Sequence, residues 1–350
     1  MKQTLLILAA VLALSCKCQT SYPEMIHIDG GKFHVQGIAL DKKNDCMYCS
    51  FTSAFYKTNL QGEITGSVTG INGHLGAMTF DPKNRKVYAS LEIKNDAIGK
   101  GISDGLGAKR HDDSQSGFYI AEIEVDKISG FDVPFEDVVK LHPVKEALKD
   151  YMSDVEVCGK TLKHRYGCSG IDGITIGPAF GSRSNKTTHL YVAYGIYRDT
   201  TRCDNDYNIL LCYDLKNLQK PEHKYFVYTG NTTYGVQNMA YDAHTARMYL
   251  AVYPGVKSEF PNYNLFALDM KQSPRKAELK GVDYMDDTVE QLEVCKGWHF
   301  KWGSTGLCAF GDGRYYISQN GKGENGQYCK ATLYTYSDSE EAPFALPCED

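Results

Sequence analysis

At 350 residues, with 42 % hydrophobic side chains and a formal net charge of −5, the chain is long enough to bury a sizeable core. Its lysines and arginines are scattered rather than clustered, which excludes a nucleic-acid surface. No segment approaches the roughly 20 apolar residues of a membrane-spanning helix, so any membrane association would run through a lipid.

Lys2, an apolar run over residues 5–14 and then small and polar residues have the layout of a secretory signal peptide. Residues 1–18 are therefore expected to be absent from the mature fold, and residues 19–350 to form one domain. Ala13-Leu14-Ser15-Cys16 resembles a bacterial lipobox, whose cysteine becomes the acylated first residue of a lipoprotein. Cys16-Lys17-Cys18 before Gln19 serves equally as an ordinary cleavage site. The expectation is an exported protein: periplasmic, extracellular or a cell-surface lipoprotein.

Of twelve cysteines, Cys16 and Cys18 fall in this leader and ten remain. Cys158 with Cys168, Cys203 with Cys212, Cys295 with Cys308, and Cys329 with Cys348 are close neighbours in sequence. In an exported chain that spacing predicts local disulfide staples. Cys46 and Cys49 have C-x-x-C spacing, but they fall in a strand, where residues three apart face opposite ways, and the second half of a zinc site is missing.

The strongest signal is an internal repeat. Each unit opens with a polar residue, usually followed by glycine, ahead of a short apolar strand: Gln36-Gly37-Ile38-Ala39-Leu40, Leu75-Gly76-Ala77-Met78-Thr79-Phe80, Asp172-Gly173-Ile174-Thr175-Ile176, Gln237-Asn238-Met239-Ala240-Tyr241 and Thr305-Gly306-Leu307-Cys308-Ala309-Phe310. A polar hairpin turn follows, as in Asp41-Lys42-Lys43-Asn44-Asp45, Asp81-Pro82-Lys83-Asn84-Arg85 and Asp242-Ala243-His244-Thr245. The second strand carries an apolar-Tyr pair: Met47-Tyr48, Val87-Tyr88, Leu190-Tyr191, Met248-Tyr249 and Tyr315-Tyr316. Third strands alternate with period two, and a fourth, outer strand leads to the next opening.

Met25-Ile26-His27-Ile28-Asp29 has the form of an outer strand just before the first opening, so it should complete the last unit and close a ring. The reading is an all-β propeller of five blades, with six as the alternative if residues 280–302 hold a further unit. Two long insertions interrupt it, at 94–116 and 131–166. The first reads as a mobile glycine-rich loop, since Gly99, Gly101, Gly105 and Gly107 lack the strand-to-helix context of a phosphate cradle. In the second, residues 143–152 have helical spacing and form the one clear helix.

These units resemble the broad superfamily of propellers that includes NHL-type repeats and the gluconolactonase-like hydrolases. The resemblance implies architecture and, for the gluconolactonase-like members, a central cation held by acidic and amide side chains. Asp172 and Asn238 are the residues here that match such metal-binding roles; the other openings offer glutamine, leucine or threonine.

In a propeller the first strand of each blade lines the central channel, so His34, Gln36, His74, Asp172, Gln237, Asn238, Ser304 and Thr305 should converge. Carboxylate and amide oxygens there suit calcium, whereas the histidines suit a transition metal. The alternative is that these groups only satisfy one another. The ends of second strands place Glu92, Tyr194, Arg198, Asp199, Tyr253, Gln319 and Asn320 near one face, where propeller loops build recognition surfaces. Asp204-Asn205-Asp206-Tyr207-Asn208 spaces oxygens like a calcium loop but has Ile209 and Leu215 where that motif needs glycine and glutamate. Asn185 and Asn231 are glycan acceptors only in a eukaryotic host.

Two functions follow. The first is an exported propeller binding an extracellular small molecule, glycan or partner protein at one face, through Gln36, Gln237, Ser304, Thr305, Glu92, Tyr194, Arg198 and Asn320. The alternative is a hydrolase of lactones or esters that uses a divalent metal, with Asp172 and Asn238 as ligands and His34 or His74 as general base.

Overall fold

The computed structural model describes residues 22–107, 116–157, 159–282, 288–337 and 339–347; the leader, Cys158 and Cys348 lie outside them. Five antiparallel sheets stand around one axis as the blades of a propeller. Blade 1 runs from Gly37–Asp41 at the axis through Cys46–Ser50 and Phe55–Asn59 to Ile64–Thr69. Blade 2 is His74–Asp81, Lys86–Ile93, Gly117–Glu124 and Val139–Pro143. Blade 3 is Cys168–Gly177, His189–Ile196, Tyr207–Asp214 and His223–Tyr228, and blade 4 is Thr233–Asp242, Arg247–Tyr253, Leu265–Asp269 and Val294–Trp298. Blade 5 contains Leu307–Ala309, Arg314–Gly323 and Gly326–Tyr336.

The ring closes as the repeat pattern requires. Met25–Gly31 adds antiparallel to Gly326–Tyr336, with Ile26 opposite Ala331 and Ile28 opposite Cys329. The Leu333 amide extends the pairing by donating to the Glu24 carbonyl at 2.7 Å. Residues 280–302 supply no sixth blade among the described residues. Val294–Trp298 is the outer strand of blade 4, and Val289–Leu292 lies parallel to the outer strand of blade 3.

Period-two alternation sends each strand's side chains to the two neighbouring blades, so the core is divided into slabs between blades. Met47 enters the slab shared with blade 5, and Tyr48 the slab shared with blade 2. Tyr48, Tyr191, Tyr249 and Tyr316 are fully buried in this way, which explains the repeated apolar-Tyr pair. The repeated aspartate caps the first hairpin: Asp41 Oδ1 accepts from the Lys43 and Asn44 amides, Asp81 Oδ1 from Lys83 and Asn84, and Asp242 from His244 and Thr245.

Two expectations are corrected. The 94–116 insertion holds helix α1 (Ala97–Leu106), capped by Asp96, whose Oδ1 accepts from the Gly99 amide at 2.9 Å. Its glycines are costly to a helix in isolation, but an added Cβ at Gly99 would lie 1.8 Å from the Lys94 carbonyl oxygen, and one at Gly105 2.6 Å from the Phe33 ring. Close packing therefore outweighs propensity. A single turn, α2 (Phe135–Val138), precedes the expected helix α3 (Lys145–Tyr151).

The second correction concerns the cysteines. Cys46, Cys49, Cys168, Cys212, Cys295, Cys308 and Cys329 carry free thiols, so none of the four local staples forms. Cys212, Cys168 and Cys329 lie on strands with their side chains in the slabs between blades. Cys46 and Cys49 do face opposite slabs.

Candidate functional site

The repeated glycines shape the channel. A Cβ on Gly37 would stand 2.8 Å from both Ala77 Cα and Met78 N, and one on Gly173 2.9 Å from the Val236 carbonyl oxygen. At Gly76 it would meet Ser90 Oγ at 2.4 Å and Asp172 Oδ1 at 2.9 Å. Glycine thus allows the first strands to converge into a neck. Blade 4 has Asn238 at this position. Its buried amide donates to the carbonyls of Gln36 at 2.8 Å and Ser304 at 2.9 Å, tying blade 4 to blades 1 and 5 across the neck.

On one side of the neck lies a polar cluster drawn from all five blades. Gln36 Nε2 donates to His34 Nε2 at 2.9 Å and to Thr52 Oγ1 at 3.2 Å. Gln237 Nε2 donates to Asp172 Oδ2 at 2.9 Å. Thr305 Oγ1 and Ser318 Oγ are 2.9 Å apart. Lys94 Nζ lies 2.8 Å from Glu92 Oε2 and 3.7 Å from Asp96 Oδ2, and it donates to the Ser169 carbonyl at 2.8 Å. The other Glu92 oxygen accepts from the Ile171 amide at 2.7 Å. His74 Nδ1 lies 3.4 Å from Glu92 Oε2 and 3.9 Å from Asp172 Oδ1 without the alignment of a hydrogen bond to either.

Burial and charge set the protonation of this cluster. Burial pushes the Asp172 carboxyl up to about 7, opposed by the His74 imidazolium. Burial alone would depress His74, but Glu92 and Asp172 outweigh it and hold the imidazole above its usual value. For Glu92 burial acts upward, yet Lys94 and His74 bring it below the usual carboxylate range. Lys94 is likewise held above an ordinary lysine, because Glu92 and Asp96 overcome its burial. His34 is lowered by burial and by His74.

Lys94 and Asp96 were not singled out from the sequence, although the period of two puts Lys94, just past the strand's end, on the same face as Glu92. The space among His74, Glu92, Lys94 and the α1 residues Gly99, Ile102 and Ser103 is about 10 Å³. That is room on the order of one water molecule.

The predicted recognition residues divide. Gln36, Gln237, Ser304 and Glu92 are buried at the polar end, and Thr305 is bonded to Ser318 beside them. Tyr194 is misplaced by the face expectation: it is fully buried, and its hydroxyl donates to Asp150 Oδ2 at 2.8 Å. The register of its strand turns it into the slab between blades 2 and 3. Arg198 is exposed beyond the end of that strand, and Asn320 accepts from the Val35 amide at 3.2 Å and donates to Gln327. In the 204–208 turn, Arg202 takes both Asp204 oxygens and Lys257 pairs with Asp206, so the calcium-like spacing serves ion pairs. Asn231 is buried and unavailable to a glycan in the folded chain.

The donor set does not fit a central cation. The Lys94 ammonium already neutralises Glu92, Asp172 is engaged by Gln237, and the Asn238 amide spans two backbone carbonyls. Among the described residues no three His, Cys, Asp or Glu side chains are grouped to hold a metal.

On the opposite, turn side of the neck the channel opens into a cavity of about 390 Å³, walled by the first strands of all five blades. Most residues of those strands are buried; Thr79, Ile176, Tyr241, Cys308 and Ala309 are half-buried and line this space. Sequence reasoning placed the site at the polar openings because polarity is visible in a sequence and concavity is not.

Similar solved structures include hydrazine synthase of Kuenenia stuttgartiensis, at 11 % identity and a TM-score of 0.38 over 81 % of this chain and 80 % of that one. Another, described as a gluconolactonase, has 9 % identity and a TM-score of 0.35 over 88 % of this chain and 92 % of that one. At these values neither likeness bears on function. No family model and no curated protein matches the chain.

Proposed function

We propose that this protein is an exported propeller that binds a small molecule in the turn-side cavity. The observation that carries the reading is a concavity of about 390 Å³ to which all five blades contribute a wall. Its size lies within the range of small-molecule pockets, and its walls are largely apolar. The polar end supports a different role. Its carboxylates, amides and hydroxyls are spent on one another, and the niche beneath α1 has too little room for the acyl group of an ester or lactone.

Fluorine-detected NMR screening of a fragment library tests this reading, with Thr79→Trp as the blocked control. Thr79 is half-buried on an inner strand and lines the cavity, so a larger side chain there takes up space at its wall. Fragments that bind the native protein and are lost in Thr79→Trp support the proposal. A set of hits indifferent to Thr79→Trp, or no hits, refutes it.

A further inference from the structure

Resting on that reading, we infer that the cavity takes an amphiphile with an apolar body and an anionic head, such as a medium-chain carboxylate. Apolar residues line the cavity wall: Ile176 and Ala309 are half-buried there, and Leu40, Met78, Met239 and Leu307 pack into the slabs behind them. Apolar surface left on a concave wall gains by covering, at about 25 cal/mol per Å² of apolar area removed from water.

The rim has a different character. Its lining carries three cations, Lys42, Lys43 and Arg85, against one acid, Asp41. Asp41 is already paired with Arg85 at 2.9 Å and accepts from the Asn44 side-chain amide at 2.8 Å. Arg85 is spent on Asp41 and Asp126. Lys42 donates to the neutral Phe310 carbonyl at 2.7 Å, which fixes its position, and the acid it acts on, Asp312, is already paired with Arg314; Lys43 is exposed beside it. The mouth therefore presents net positive charge over an apolar pocket. A neutral apolar ligand would leave this charge unused, and a cationic one would be repelled at the entrance.

Isothermal titration with decanoate, decanol and decyltrimethylammonium tests the inference at low salt and again at high salt. Decanoate should bind tightest, lose affinity with salt, and weaken roughly tenfold in Lys42→Gln/Lys43→Gln, a change that leaves decanol unaffected. Thr79→Trp should abolish binding of decanoate and decanol alike. Equal affinity for decanoate and decanol, or binding indifferent to the two lysines, overturns the anionic head. No binding of any decyl compound while fragments still compete at Thr79 overturns the amphiphile and leaves the cavity reading standing. Loss of both kinds of binder overturns both.

Discussion

Lys94 offers the sharpest quantitative test of how the polar end works. Its ammonium and the Glu92 carboxylate are 5 % and 3 % exposed and stand 2.8 Å apart, so the pair lies out of water. Replacing Lys94 by methionine keeps the length of the side chain but strands Glu92, with only His74 and the Ile171 amide to support its charge. Leaving one member of a buried pair uncompensated costs about 3–5 kcal/mol. With an unfolding entropy of ~2.1 cal/mol/K per residue over a chain of 350 residues, roughly 0.7 kcal/mol/K in all, a loss of 4 kcal/mol lowers Tm by roughly 6 °C.

The double variant Glu92→Gln/Lys94→Met removes both charges, and it should recover a substantial part of that loss, showing a coupling energy of at least ~1 kcal/mol. Scanning calorimetry of the native protein, the two single variants and the double variant closes the cycle. A Lys94→Met protein with unchanged Tm, or a double variant with no recovery, would refute the claim that Lys94 neutralises Glu92 out of water.

Three further outcomes are expected. Gly37→Ala places a Cβ against backbone atoms that cannot rotate away and should cost about 1–3 kcal/mol. Gly101→Ala, on the open face of α1, has nothing within 4 Å and should stabilise by about 0.5–1 kcal/mol; chemical denaturation compares the two, and similar effects would remove the neck argument. Asp172 and His74 both hold protons more tightly than in the unfolded chain, so the folded state loses stability as pH rises, through about 4 to 7 for Asp172 and above 6.5 for His74. Asp172→Asn should flatten the fall of Tm across the lower window; a parallel profile would show that Asp172 ionises normally. Finally, alkylation of the native protein should modify exposed Cys295 first and reach Cys49, Cys168 and Cys329 only on unfolding, as mass mapping would show; recovery of any of these as a disulfide would contradict the free thiols.

The blade plan was legible because its causes are local. Period-two alternation, the aspartate that caps each first hairpin and the apolar-Tyr pair all act within a dozen residues, and the outer-strand form of Met25-Ile26-His27-Ile28 was enough to foresee the closing strand. Helix α1 was missed for the opposite reason. Its glycines argue against a helix locally, and only the approach to Lys94 and Phe33 makes them favourable. Tyr194 and the cysteine pairs failed similarly, since which face of a strand meets the core depends on the neighbouring blade.

The sequence by itself determined the strand pattern of the units, the closing of the ring and the convergence of His34, Gln36, His74, Asp172, Gln237, Asn238 and Ser304 toward one end of an axis; five blades against six stayed open at residues 280–302. Only the tertiary structure decided that most of these groups are hydrogen-bonded within the protein while His74 Nδ1 is not, that Lys94 neutralises Glu92 beside them, and that the open space lies beyond the neck. Hydrogen-bond satisfaction and concavity belong to several strands at once, so no single strand's residues encode them.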